Sequence, residues 1–104
     1  MIDQNKVHEI IEERKRLHPD DPRIVEIWEE LTIVFSKNEE NTITFLNNCN
    51  EEYLIWISEI FEDISERLHS IHFLQCIEYL NEKYTKLCLG NDIFYAEKAF
   101  KTKN

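Results

Sequence analysis

A chain of 104 residues with 42% hydrophobic side chains can bury one core, whereas two independent cores would each need disulfides or metals. Its 21 acidic and 12 basic side chains leave a formal charge of -9, which repels nucleic acid and anionic membranes at long range and attracts basic proteins. One glycine and two prolines are too few to punctuate a many-stranded sheet, so the composition predicts a single all-α domain over residues 1–104.

The first periodic segment runs from about Asn5 to Leu17, with Val7, Ile10, Ile11 and Leu17 on one face. It stops at His18-Pro19-Asp20-Asp21-Pro22, where Asp21 is placed to cap a second helix and Pro22 to open it. That helix runs to about Phe35 and buries Ile24, Ile27, Trp28, Leu31, Val34 and Phe35. Ser36-Lys37-Asn38-Glu39 fits a capping box for a shorter third helix through Ile43 and Leu46, ending in an asparagine-rich stretch. Asn50 caps a fourth helix, read as one rod to Leu68, with Tyr53, Ile57, Ile60, Phe61, Ile64 and Leu68 as its stripe. Ser70 caps a fifth, which buries Phe73, Leu74, Ile77, Leu80 and Tyr84. At Leu89-Gly90-Asn91 the only glycine suits a left-handed cap or tight turn, and Asp92 opens a last helix from Ile93 to about Lys101. Its Ala96 and Ala99 allow close packing. Six helices with short connections predict antiparallel helical hairpins, as a compact bundle or a short curved stack, without a residue-level repeat.

Cys49, Cys76 and Cys88 are an odd number, lie far apart and contain no C-x-x-C pair, so they read as reduced thiols. Neither a signal peptide nor an apolar stretch of membrane-spanning length is visible, which predicts a cytoplasmic chain.

The acidity is uneven: residues 1–66 carry 17 acidic and 6 basic side chains, residues 67–104 carry 4 and 6. At about 100° per residue, Glu52, Glu59, Glu62, Asp63 and Glu66 share one face of the fourth helix, with Ile55 inside it and Trp56 on its border. The second helix repeats the arrangement with Glu26, Glu29 and Glu30 around Ile33. Such faces are either solvated surfaces whose isoleucines pack on a neighbour, or binding faces with an apolar anchor inside a polar rim.

Signals for chemistry are sparse. Arg67-Leu68-His69-Ser70-Ile71-His72 has an R-x4-H spacing similar to that of the HEPN ribonucleases, in which Arg and His act on RNA, so Arg67 and His72 stand as an alternative catalytic pair. The acidic balance makes the chain a poor host for RNA. Glu66 and His69 form one E-x-x-H step, but a di-iron bundle needs a second, and none is present. With no glycine-rich phosphate loop and no flanked nucleophile, the sequence supports neither an enzyme nor a metal or cofactor.

The run Glu52-Tyr53-Leu54-Ile55-Trp56-Ile57-Ser58-Glu59-Ile60-Phe61-Glu62-Asp63-Ile64-Ser65-Glu66-Arg67-Leu68, with Phe73-Leu74 and Leu80-Asn81-Glu82-Lys83-Tyr84, resembles small bacterial immunity proteins of polymorphic-toxin and contact-dependent growth inhibition systems. The resemblance covers residues 45 to 100. It implies a cytoplasmic, non-catalytic antitoxin that binds the cognate toxin domain at the C-terminus of a delivered effector. Many such toxins are nucleases, tRNases among them, with basic substrate surfaces that an acidic inhibitor covers. Within the matching run the binding role falls on Trp56, Glu59, Glu62, Asp63 and Glu66, to which the acidic faces add Glu26, Glu29, Glu30, Ile33, Glu52 and Ile55. An acidic helical scaffold or DNA mimic is the remaining alternative, and direct nucleic-acid or membrane binding is not expected.

Overall fold

Asp3 starts the first helix, accepting the N–H groups of Asn5 and Lys6 at 2.9 and 3.2 Å. Helix α1, Gln4–Arg16, ends on three basic residues that complement its dipole, just before His18-Pro19 forces extended backbone. The computed structural model describes residues 1–102. Helix α2, Ile24–Phe35, begins two residues later than Pro22 predicts, because residues 21–25 first wind through tighter i to i+3 hydrogen bonds. Asp21 still anchors this entry by accepting the Arg23 N–H at 2.9 Å.

Helix α3, Glu39–Asn48, is capped by Asn38, whose Oδ1 accepts the Asn41 N–H, and not through the expected box at Ser36. Ser36 instead ends α2, and its Oγ is buried without a partner among the described residues. Asn50 and Ser70 cap as expected, accepting from Tyr53 N–H at 2.8 Å and Phe73 N–H at 3.0 Å.

The segment expected as one rod from Asn50 to Leu68 is two helices, α4 (Glu51–Ser58) and α5 (Phe61–Leu68). Around Glu59 the ladder changes register: its N–H reaches back to Trp56, and the Ile60 N–H bonds the Ile57 carbonyl at 2.9 Å. Ser58 Oγ, bonded to the Ile55 carbonyl at 2.6 Å, takes an acceptor from the ladder just before the bend. The bend buries Ile57, Ile60, Phe61 and Ile64 completely, which wide apolar spacing had disguised as one continuous stripe.

His69 in the left-handed region (φ 47°) turns the chain into α6, Ile71–Lys83, and a 3-10 turn at Thr85–Leu87 follows. The second left-handed residue is Cys88 (φ 55°), whereas Gly90 is the first residue of α7, Gly90–Thr102, with no positive φ. The left-handed turn thus lies two residues before the glycine that the sequence marks.

The most extensive packing joins α5 to α7, where fully buried Ala96 lets the backbones approach and Ser65 Oγ donates to the Ala96 carbonyl at 2.6 Å. Helix α3 lies on α6, α1 on α2, and α6 also meets α7, so partners adjacent in space are often distant in sequence. One contiguous core receives side chains from all seven helices, with Phe61 edge-on to Phe73 at 6.0 Å. A radius of gyration of 12.8 Å and extents of 33 × 28 × 27 Å describe a compact globule rather than a curved stack. Among the described residues no strand is present, and no helix is long and apolar enough to cross a membrane.

Candidate functional site

Two helices that are separate acidic segments in the sequence share one surface in the fold. On α2, Glu26, Glu29 and Glu30 are exposed, and on α5 Glu62, Asp63 and Glu66 are exposed. Arg67 of α5 bridges them, its Nη2 donating to both carboxylate oxygens of Glu29 at 3.0 and 2.9 Å. Burial pushes the Asp63 carboxyl above its ordinary range, and the neighbouring charges of Glu66 and Glu29 add to the rise, partly opposed by Arg67. The α2 and α5 acids therefore feel one another. Among the described residues Glu26, Glu30, Glu62, Asp63 and Glu66 enter no ion pair.

Ile33 is 45% exposed within the α2 part of this surface, and Val25, which periodicity does not single out, is 64% exposed. Val25, Glu29 and Ile33 stand four residues apart, so two apolar side chains lie about 12 Å from each other along one row with a carboxylate between them. The surface thus combines negative charge with two apolar contacts.

The rest of the predicted acidic face meets α1. Glu52 pairs with Lys15 of α1, whose ammonium is held above its ordinary range by the hydrogen bonds it donates to Glu52 and then to Glu12. Glu59, at the α4–α5 bend, accepts two parallel hydrogen bonds from Arg14 Nε and Nη2 at 2.9 and 2.7 Å, and a third from Trp28 Nε1 at 3.0 Å. The Arg14 guanidinium lies 5.0 Å from the centre of the Trp56 ring, so Trp56 packs within this cluster. Bidentate geometry and a neutral third donor satisfy the half-buried carboxylate, which explains how the bend tolerates it. Glu52 stays exposed beside Lys15, whereas Trp56 and Glu59 are half-buried around Arg14, so for those two the expected outward placement gives way to contacts with α1 and with the α2 indole. Ile55 is 44% exposed, but on α4 it falls within about 60° of Glu52 and Glu59 and so borders this seam.

Arg14 is the functional-looking residue that sequence reading passed over, although it was visible as the one charged side chain in the apolar row of α1, three residues after Ile11 and seven after Val7. It is only 7% exposed. Asp92 of α7 stands on the far side of the bend; burial raises its carboxyl, a Ser58 hydrogen bond opposes the rise and the Glu59 charge adds to it.

The alternative pair Arg67 and His72 engages different helices: Arg67 holds Glu29 of α2, and His72 Nδ1 meets Glu39 Oε1 of α3 at 2.8 Å. Of the E-x-x-H step, Glu66 is exposed, while the His69 ring stacks on Phe100 at 4.4 Å with its Nε2 3.1 Å from the Phe100 carbonyl. Among the described residues no three His, Cys, Asp or Glu side chains converge as metal ligands. All three cysteines are free, and burial pushes the thiols of Cys49 and Cys76 up to about 11, away from the reactive thiolate. No family model, curated protein or solved structure matches the chain.

Proposed function

We propose that this protein is an immunity-type inhibitor that uses the α2–α5 surface to cover the basic substrate-binding surface of a toxin domain, a nuclease such as a tRNase. The observation that carries the reading is the convergence of Glu26, Glu29, Glu30, Glu62, Asp63 and Glu66 on neighbouring helices with exposed Val25 and Ile33. Concentrating like charges costs self-repulsion, which a basic partner relieves on docking. The negative field speeds the encounter, and the two apolar side chains supply contact area that charge alone lacks. Arg67, held by Glu29, tethers the two helices. The binding set is accordingly Glu26, Glu29, Glu30, Ile33, Glu62, Asp63 and Glu66 with Val25 added, while Trp56 and Glu59 serve the fold.

The test is co-expression with the toxin domain encoded beside this chain, scored by growth and by complex formation. Reversing Glu62 and Glu66 to Lys is expected to weaken binding more than about tenfold and to flatten its salt dependence, with helicity unchanged. Both residues are exposed and free of ion pairs, so their reversal spares the core. Full toxicity in the presence of the wild-type chain, with no complex formed, overturns the reading.

A further inference from the structure

Along α1 and α3, three cavities of about 410, 290 and 250 Å³ join end to end through shared lining residues and form one groove. Gln4, Phe45 and Asn48 are common to the first two, and Ile2 and Asn41 to the last two. In a chain that is 32% charged, the two larger-volume members at the α4 end are lined without a single Asp, Glu, Lys or Arg. Charged side chains enter only at the far end, with Asp3, Lys6 and Lys37.

What replaces charge is carboxamide. Gln4, Asn5, Asn38, Asn41, Asn48 and Asn50 line the groove, six of the eleven Asn and Gln side chains in the chain. Their internal hydrogen bonds use only part of their capacity. Asn38 and Asn50 accept backbone N–H groups through Oδ1, leaving their amide donors, and Asn48 donates to the Thr44 carbonyl at 2.7 Å, leaving its oxygen. Among the described residues the side chains of Gln4, Asn5 and Asn41 make no hydrogen bond, so each offers both a donor and an acceptor. Between these amides the floor is apolar: half-buried Phe45 is fixed edge-on against Phe35 at 5.2 Å, and Ile2 packs on the core.

We propose that this groove binds an uncharged, extended segment of another polypeptide, read through its main chain. A peptide backbone is neutral and presents donors and acceptors in alternation, which matches carboxamides that offer both and, over the two members at the α4 end, walls without an Asp, Glu, Lys or Arg side chain. The dimensions agree. Asn38 to Asn48 spans about 15 Å of α3, enough for about four or five extended residues. The apolar floor takes the side chains that point inward, while side chains on the opposite face of the segment stay in solvent. No groove residue belongs to the α2–α5 surface, so the inference stands apart from the toxin-binding reading.

The experiment selects a displayed random heptapeptide library against the intact chain, then measures the selected peptide by titration with acetylated and amidated ends. Net-neutral peptides are expected, with affinity falling about tenfold or more in Asn41→Leu plus Asn48→Leu and in Gln4→Leu on the facing wall, and holding in Glu62→Lys plus Glu66→Lys. Far-ultraviolet circular dichroism checks that each variant keeps its helices. N-methylating single peptide bonds of the ligand is expected to cost about tenfold at alternate positions. Selection of no peptide, binding that survives the groove variants, or indifference to N-methylation overturns the proposal, as does saturable binding of a neutral oligosaccharide in place of the peptide.

Discussion

Gly90 carries an ordinary helical φ, and a Cβ built there meets nothing within 4 Å, while the exposed Cys88 two residues earlier holds the strained left-handed conformation. Glycine in the wrong one of these two places loses backbone entropy without relieving strain. Gly90→Ala is therefore expected to stabilise the fold by about 0.5–1 kcal/mol. Cys88→Gly is expected to stabilise it by about 1 kcal/mol. Urea unfolding of both single variants checks the pair, and a loss of stability in Gly90→Ala contradicts the helical assignment. At the same scale Arg14 shows why residue type alone misleads: a guanidinium in an apolar row is tolerable only because Glu59 and the Trp56 ring stand opposite, and both arrive from a helix far along the chain.

At the scale of elements, helix starts follow side-chain oxygens aimed at free backbone N–H groups; Asn50 and Ser70 are legible in the sequence for that reason, whereas the cap at Asp3 emerges from the structure. The start of α3 was misread because two candidate caps lie two residues apart. Asn38→Ala is expected to cost about 1 kcal/mol. Ser36→Ala, which removes a buried hydroxyl with no partner, is expected to leave stability unchanged or raise it by up to about 1 kcal/mol. Thermal or urea denaturation distinguishes them, and the reverse order would restore the capping box at Ser36. The α4–α5 bend was less legible, since an apolar period of 3 to 4 survives when two short helices with nearly matching faces follow each other. At the bend the helical ladder gives way to tertiary contacts of Glu59 with Arg14 and Trp28, beside the Ser58 hydroxyl bonded to the Ile55 carbonyl.

Across the whole molecule, the titration of several carboxyls points to an acid-favoured fold. Burial holds Asp63 and Asp92 above the ordinary range, and a hydrogen bond with Glu97 does the same for Glu78. A raised folded value means that the native chain binds protons more tightly than the unfolded one, so stability falls as pH rises through the ordinary carboxylate range and these raised values. The self-repulsion of a chain at -9 acts in the same direction. Two groups oppose this at lower pH: Arg23 holds Asp21 at about 2, and Ser70 and His72 lower Glu39, so their stabilisation is lost as pH falls through those depressed values. The melting temperature is expected to rise between pH 7 and about 5 and to fall below about pH 3. A melting temperature that declines steadily from neutrality would show that the depressed carboxyls dominate.

The sequence by itself determined that the chain is helical, where α1, α4 and α6 begin, much of the core, and that the acidity sits in residues 1–66, because spacing, caps and composition act over a few residues. Tertiary structure alone decided the rest. It set α5 on α7, bent the fourth helix in two, turned Glu52 and Glu59 toward α1, and brought Glu29 beside Asp63, Glu66 and Arg67. The reason is that a helical wheel gives the angle of a side chain about its own axis, but not the neighbour waiting there. Whether a carboxylate is a binding group or half of an internal ion pair depends on a cation 38 or 45 residues away, and only the folded chain brings the two together.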